Sequence, residues 1–249
     1  MASLEDLTAM REREAAAAAA ETARIAVSMR RVANEYKDVY APLQDDTLLL
    51  MQTLTANVDE IRSRCSIIVE VACGAAPPAV LLAKLLGTGS VALFATDLSS
   101  SAIAAASVVA AGSKASIELC RGELLSAFRT GCIDCVICLP PYVASKRMST
   151  ADAAAKESAG AKQLADAEWV FLGGSDGLEV LGRLAADLVR VLSATGFAFI
   201  CIGNGHDAHA VGKRVEDASD GLLMSSVEAQ TEADTECEVV RVYRIERCE

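Results

Sequence analysis

The chain has 249 residues, 52% of them hydrophobic, and its 23 basic and 34 acidic residues give a net charge of −11. This length and apolar content predict one α/β domain and exclude disorder throughout. The acidic balance argues against binding of duplex nucleic acid through a broad basic face, because that binding comes mostly from neutralising phosphates. We therefore expect a protein or small-molecule substrate.

Cellular location is also constrained by the sequence. Lys84, Gly87 and Asp97 interrupt the longest apolar candidate before it reaches the roughly 18 residues of a membrane span. Residues 1–14 are charged where a signal peptide would be apolar. Nine cysteines are an odd number, which indicates reduced thiols rather than a disulfide framework. We expect a cytoplasmic or nuclear protein without membrane association.

The N-terminal part has the composition of a long helix. An alanine run at residues 15–20 is flanked by arginine and glutamate, which predicts one helix over residues 5–35. Pro42 and two aspartates then precede an apolar run, which predicts a helix cap and a helix that ends near residue 63. We expect an N-terminal helical extension over residues 1–36 and a second unit over 37–249.

From residue 66 onward, strand-like and helix-like stretches alternate, which predicts a parallel sheet with helices on both faces. The predicted strands are 66–71, 91–96, 116–120, 133–139 and 197–202, the helices 78–86, 101–111, 178–192 and 207–217, and the closing antiparallel pair 222–230 and 237–245. Residues 143–168 lack apolar periodicity and predict a long connection.

Two segments at strand ends are candidates for binding or catalysis. Residues 70–76 contain Glu70 and Gly74 after the first strand, and Asp97 ends the second. Ligands of doubly wound sheets bind at this edge, where an acid accepts hydrogen bonds from ribose hydroxyls. Such turns usually carry three glycines, so a turn without a ligand is the alternative.

The second candidate is Leu139-Pro140-Pro141-Tyr142, which follows the fourth strand. Proline cannot continue the ladder, so this rigid turn places an aromatic ring and a proline carbonyl at the same edge of the sheet. A strand terminated by proline, with a packed tyrosine, explains the tetrapeptide equally well.

Taken in order, these pieces resemble the class I methyltransferases that use S-adenosylmethionine. The resemblance is closest to the eukaryotic branch of the HemK-like family, which methylates a glutamine side-chain amide in translation release factors. It covers about residues 37–246 and rests on the segments 38–45, 70–76, 95–98, 140–143 and 171–180. It implies a Rossmann-like fold with a seven-stranded, mostly parallel sheet, an antiparallel last strand, helices on both faces and the N-terminal extension.

The resemblance also implies roles for individual residues. The residues implied for S-adenosylmethionine are Tyr40, Asp45, Glu70, Gly74, Asp97 and Glu123. Asp97 would contact the ribose, Glu70 and Gly74 the methionine moiety, and Glu123 the adenine. The substrate amide would lie over Tyr142, with the Pro140 carbonyl accepting one of its hydrogens. No metal is implied, because catalysis rests mainly on orientation.

Three departures from the family pattern predict altered chemistry. Leu139 stands where the family has an asparagine whose oxygen holds the substrate amide. Ala72 and Ala76 replace glycines, so we expect their β-carbons to intrude on the cofactor. Gln44-Asp45-Asp46 replaces Glu-Asp-Thr. We expect glutamine methylation that is very slow or absent, and the alternative is a binding or scaffold subunit that has lost turnover.

The resemblance implies two protein partners. One is a release-factor-like substrate, and the other is a small zinc-binding activator that docks beside the third strand. If that strand is at the sheet edge, its unpaired backbone, with Ile117 and Leu119 on one face, invites strand addition.

Other interpretations are weaker. A nicotinamide-dependent oxidoreductase shares the acid after the second strand but lacks the glycine fingerprint. Cys132, Cys135 and Cys138 have metal-like spacing, yet the last two would point to opposite faces of one strand. His206 and His209 are spaced for one helix face, which predicts a surface pair.

Overall fold

The computed structural model describes residues 4–36, 39, 43–87, 89, 91–145, 171–203, 205–231 and 239–248. Tyr40 lies outside the described residues, as do most of the long connection expected over residues 143–168 and the acidic stretch 232–238.

The secondary structure follows the predicted alternation closely. The helices are α1 (Leu4–Glu35), α2 (Asp45–Ala56), α3 (Val58–Arg64), α4 (Pro77–Leu86), α5 (Ser100–Ser113), α6 (Glu179–Val191) and α7 (Ala208–Ala218). The strands are β1 (Ile67–Val71), β2 (Ala92–Asp97), β3 (Glu118–Arg121), β4 (Ile133–Cys138), β5 (Leu192–Ile202), β6 (Leu223–Gln230) and β7 (Arg241–Arg247).

The seven strands form one sheet in the order β3-β2-β1-β4-β5-β7-β6. Strands β1 to β5 pair in parallel, and β7 inserts antiparallel between β5 and β6. The predicted Rossmann-like class I methyltransferase fold is therefore confirmed. Parallel pairing brings the carboxyl ends of β1 to β5 to one edge of the sheet, where both candidate turns lie.

Helices cover both faces, and the two faces of β4 divide the core. Cys138 belongs to the apolar cluster that contains Leu184 of α6, whereas Cys135 belongs to the cluster that contains Leu50 of α2. The expectation that these two thiols point to opposite faces is confirmed. A buried strand of a parallel sheet is apolar on both sides for this reason.

Helix α1 is packed on the domain. Its residues Ile25, Met29 and Val32 are buried with Leu81 of α4 and Val109 of α5 in one cluster. The alanine-rich composition suits this close packing against small side chains of α5. None of the described helices is long and apolar enough to span a membrane.

The helix predicted to end near residue 63 is in fact two helices, α2 and α3, separated at Asn57. The Asn57 side chain donates a hydrogen bond to the Thr53 carbonyl at 2.9 Å, which competes with the backbone ladder. Strand β5 begins at residue 192 rather than 197, so α6 leads into it without a loop.

Candidate active site

The turn between β1 and α4 has the backbone of a three-glycine turn. Ala72, Gly74 and Ala76 all have left-handed backbones, with φ of 51°, 52° and 57°. This conformation costs a non-glycine residue about 1–2 kcal/mol. The chain therefore keeps the turn at a cost in stability, and two strained residues in one turn make it a candidate functional site.

The methyl groups of the two alanines point to different places. Ala76 is 0% exposed and packs with Cys73, Ala95 and Ala106 between the sheet and α5. The expectation that its β-carbon intrudes on the cofactor is therefore wrong, because the methyl group is inside the protein. Ala72 is half-buried, so Ala72 and Gly74 form the accessible part of the turn.

Asp97 joins the end of β2 to this turn. Its Oδ2 accepts a hydrogen bond from the Gly74 N–H at 3.0 Å, and its Oδ1 accepts one from the Ser99 N–H at 2.8 Å. Burial raises the pKa of Asp97, and the backbone donors partly offset this. The carboxylate lies at the expected edge of the sheet, next to the only glycine of the turn.

Glu70 lies beneath the turn. Its carboxyl group is buried and accepts a hydrogen bond from the Ala79 N–H of α4 at 2.7 Å. Burial raises the pKa of Glu70 from 4.5 to about 8, and the Ala79 N–H partly offsets this effect. The structure therefore ties Glu70 to the first turn of α4, where a carboxyl oxygen satisfies a free helix donor.

The raised pKa of Glu70 predicts a pH dependence of folding. Because the folded chain binds this proton more tightly, the stabilisation is complete below about pH 4.5 and is lost as the pH rises through 8. The free energy of unfolding should fall by up to about 1.4 kcal/mol per pH unit in this window. Urea unfolding of wild type and Glu70→Gln between pH 5 and about 9 tests this. Equal pH slopes in the two proteins would contradict the prediction.

Glu123 follows β3 and is exposed. It forms an ion pair with Arg183 of α6 across the carboxyl edge of the sheet. The neighbouring Leu124 carbonyl accepts a hydrogen bond from the Thr96 hydroxyl at 3.2 Å, which fixes this loop beside β2. Glu123 thus lies near the end of β2 with its charge already paired.

The Pro-Pro-Tyr turn after β4 is held by the N-terminus of α2. The Tyr142 hydroxyl donates a hydrogen bond to Oδ2 of Asp46 at 3.0 Å. Asp46 is 7% exposed, whereas Asp45, which the resemblance selects, is exposed. Two adjacent aspartates differ only in helix phase, so the sequence alone did not show which one turns inward.

The segment before α6 packs against this turn through backbone contacts. Val143 donates a hydrogen bond to the Phe171 carbonyl at 2.8 Å, and Gly173 donates one to the Val143 carbonyl at 2.9 Å. A β-carbon at Gly173 would lie 2.5 Å from the Pro141 carbonyl oxygen. The fold therefore joins two of the segments that carry the resemblance, although 25 or more residues separate them in the sequence.

His206 contacts the Pro-Pro-Tyr turn, which its spacing from His209 did not indicate. Its Nε2 lies 3.0 Å from the Tyr142 carbonyl oxygen, so the expectation of a surface pair with His209 is wrong. The Asp207 side chain caps α7 by accepting a hydrogen bond from the Ala210 N–H. This places His206 before the helix, and Asp207 was the signal that could have shown it.

The buried thiols near the site are unsuited to nucleophilic chemistry. Burial raises the pKa of the Cys73, Cys138 and Cys201 thiols well above 9, and a thiol reacts as the thiolate. Within the described ranges, no group of three or more His, Cys, Asp or Glu side chains could hold a metal ion. The site therefore offers carboxylates, backbone groups and the tyrosine turn.

The sequence of residues 10–166 matches the methyltransferase small domain family. The chain belongs to this family. The match includes both candidate turns, Asp97 and Glu123, whereas His206 lies beyond it. A search of the curated proteins finds no match.

Solved structures with a similar fold include several methyltransferases. The ribosomal protein L11 methylase of Lactobacillus delbrueckii subsp. bulgaricus is 17% identical, with a TM-score of 0.50 over 82% of this chain and 80% of that one. The YcgJ protein of Bacillus subtilis is 10% identical, with a TM-score of 0.52 over 80% of this chain and 99% of that one.

A third similar structure is the 16S rRNA methyltransferase RsmC of T. thermophilus, determined with AdoMet and guanosine. It is 11% identical, with a TM-score of 0.57 over 84% of this chain and 44% of that one. At these identities the likeness shows the fold alone.

Proposed function

We propose that this methyltransferase transfers a methyl group from S-adenosylmethionine to a side-chain amide nitrogen of glutamine in a release-factor-like protein, at a low rate. The observation that carries the proposal is the left-handed turn at residues 72, 74 and 76, tied to Asp97 by a hydrogen bond at 3.0 Å. The Pro-Pro-Tyr turn lies at the same edge of the sheet, which supports a site where cofactor and acceptor would meet.

The residues present suit S-adenosylmethionine. Asp97 would accept hydrogen bonds from the ribose hydroxyls, and the accessible backbone at Ala72 and Gly74 would face the methionine moiety. Glu123 would meet the adenine amine, for which its pairing with Arg183 has to loosen. When bound, the cofactor supplies a methyl group on a sulfonium, which is already a strong electrophile, so the protein mainly has to orient the acceptor.

On the acceptor side, Tyr142 and Pro140 would receive the amide. Tyr142 is held at its hydroxyl by Asp46, so its ring has a defined position. The Pro140 carbonyl would accept one amide hydrogen. Leu139 is half-buried and packs against the apolar cluster that contains Leu50, so it supplies no second acceptor and the rate is low.

Methyl transfer from tritiated S-adenosylmethionine tests this function. The acceptors are a release factor, a protein extract and a set of small molecules, each incubated with wild type and with Asp97→Ala. We expect slow label transfer to glutamine of the release factor by wild type alone. Label transfer only to another acceptor would contradict the glutamine substrate, and the absence of any transfer would contradict the enzymatic function.

The two alanines of the turn give a matched pair of variants. Ala72→Gly removes the methyl group at the accessible part of the turn, so we expect severalfold tighter binding of S-adenosylmethionine. Ala76→Gly relieves the same backbone strain, but its methyl group is buried, so the affinity should not change. Calorimetric titration compares the two. Equal affinities for wild type and Ala72→Gly would show that Ala72 does not face the cofactor.

We also propose that a small zinc-binding activator docks at β3. This strand ends the sheet, as expected. Ile117 and Leu119 are half-buried and pack against a cluster of small residues that includes Ala95 of β2 and Ala106 of α5. Docking would therefore use the backbone edge of Glu118–Arg121 rather than an exposed apolar face. Size-exclusion chromatography with candidate activators should show a 1:1 complex. A monomer that recruits no small subunit would count against this partner.

The second candidate function is a scaffold subunit with a methyltransferase fold and no turnover. Leu139 favours it, because the position carries a packing side chain in place of a polar acceptor. A chain that binds S-adenosylmethionine and forms a complex, yet labels no acceptor in the tritium assay, would support this function.

A further inference from the structure

Tyr142 is held from two directions by residues distant in the sequence. At one end its hydroxyl donates to Asp46 of α2, and at the other its carbonyl oxygen lies 3.0 Å from Nε2 of His206. A carbonyl oxygen can only accept, so Nε2 carries the hydrogen in this contact. The ring and the backbone of Tyr142 are therefore both fixed.

Two glycines leave room for this arrangement. A β-carbon at Gly203, just after β5, would lie 2.8 Å from the Tyr142 hydroxyl oxygen. One at Gly177 would lie 2.4 Å from the Tyr142 carbonyl oxygen and 2.7 Å from Nε2 of His206. No side chain fits at either place without displacing Tyr142 or His206. The backbones at Gly177 and Gly203 therefore pack directly against the turn that carries Tyr142.

His206 is itself held in place. Its carbonyl accepts a hydrogen bond from Nη1 of Arg241 on β7 at 3.3 Å, and Asp207 caps the helix that follows it. The imidazole is half-buried. These contacts anchor the histidine beside β7. The hydrogen bond from its Nε2 to the Tyr142 carbonyl therefore fixes the turn after β4 relative to the sheet.

We propose that His206 is a positioning residue for methyl transfer, which orients the Tyr142 ring and the Pro-Pro-Tyr turn towards the acceptor by hydrogen bonding the Tyr142 carbonyl. This inference rests on the proposed function.

The test compares three histidine variants. His206→Leu removes the donor, and we expect kcat for transfer to a release factor to fall about 10- to 100-fold, because small misplacements near the reacting groups have effects of this size. The Kd for S-adenosylmethionine should stay within about twofold, because His206 is not placed at the cofactor turn. His206→Gln offers an amide donor in a similar place and should restore most of the rate. His209→Leu, in an exposed position of α7, is the matched control and should leave the rate unchanged.

A second measurement observes the environment of Tyr142 directly and does not depend on catalytic turnover. The chain has four tyrosines, so 3-fluorotyrosine labelling gives a small set of fluorine resonances, and Tyr142→Phe identifies the one from Tyr142. We expect this resonance to shift in His206→Leu and to return to its wild-type position in His206→Gln. It should also shift in Gly177→Ala, because the added methyl group would lie against the Tyr142 carbonyl and the His206 ring.

These measurements separate failure of the inference from failure of the function. Wild-type transfer with an unchanged kcat in His206→Leu, or a lowered kcat with an unmoved Tyr142 resonance, overturns the positioning role alone. If wild type labels no acceptor, the proposed function is overturned and the positioning role with it. A lower kcat, a shifted resonance and recovery in His206→Gln together support the proposal.

Discussion

Leu139→Asn should raise the rate of glutamine methylation by about 10²–10³-fold, which is the usual effect of one preorganised polar partner. The new side-chain oxygen would accept one amide hydrogen while the Pro140 carbonyl accepts the other. Leu139 packs against the apolar cluster that contains Leu50 and Phe199, so the variant should also lose about 1–2 kcal/mol of folding free energy. Initial rates with a release factor and tritiated S-adenosylmethionine measure the gain.

Leu139→Ala is the control for this variant, because it loses the same packing without adding an acceptor. Its rate should not rise. If wild type methylates glutamine at about 1 s⁻¹ or faster and Leu139→Asn leaves that rate unchanged, both the impaired chemistry and the role assigned to this position are wrong.

Asp97→Ala should weaken the binding of S-adenosylmethionine by about 10²-fold or more. The change removes the acceptor for the ribose hydroxyls and also leaves the N–H groups of Gly74 and Ser99 without their partner. A hydrogen bond to a charged group contributes about 1.5–3 kcal/mol, and an unpaired buried donor costs a further amount. Calorimetric titration and a thermal unfolding curve record the two effects separately.

Glu118→Ala is the matched control for Asp97, since it removes an exposed carboxylate from the neighbouring edge strand. Its affinity for S-adenosylmethionine should equal that of wild type. A Kd for Asp97→Ala within about twofold of wild type would show that this carboxylate does not contact the ribose.

The fold was predictable because the sequence patterns that indicate it, apolar strands alternating with helices, are local and recur along the chain. Apolar runs such as Ile67–Val71 fit a strand buried on both faces, and the alternation of helices and strands leaves few topologies. Boundaries were less predictable where one side chain decides them. Asn57 divides a helix that apolar spacing alone makes continuous, and α6 enters β5 without the loop that would have marked a boundary.

The site was predictable only in part, because helix phase and tertiary contacts decide which side chains meet. Asp97 and the Pro-Pro-Tyr turn follow strands, so parallel pairing alone brings them to one edge. Asp46 replaces Asp45 at that edge because of the phase of α2, and the methyl group of Ala76 is buried by tertiary packing against Ala95 and Ala106. His206 reaches the Tyr142 carbonyl because Gly177 leaves space between them, which no local pattern shows.

Calorimetric titration of the wild-type chain with S-adenosylmethionine shows whether the turn after β1 binds the cofactor. The left-handed turn and its hydrogen bond to Asp97 predict binding of one cofactor molecule per chain, and Asp97→Ala should not bind measurably at the same concentrations. At cofactor concentrations of about 1 mM, even a weak complex with a binding free energy of about −4 kcal/mol would be half-formed. The absence of binding heat at these concentrations would contradict a cofactor site at this turn.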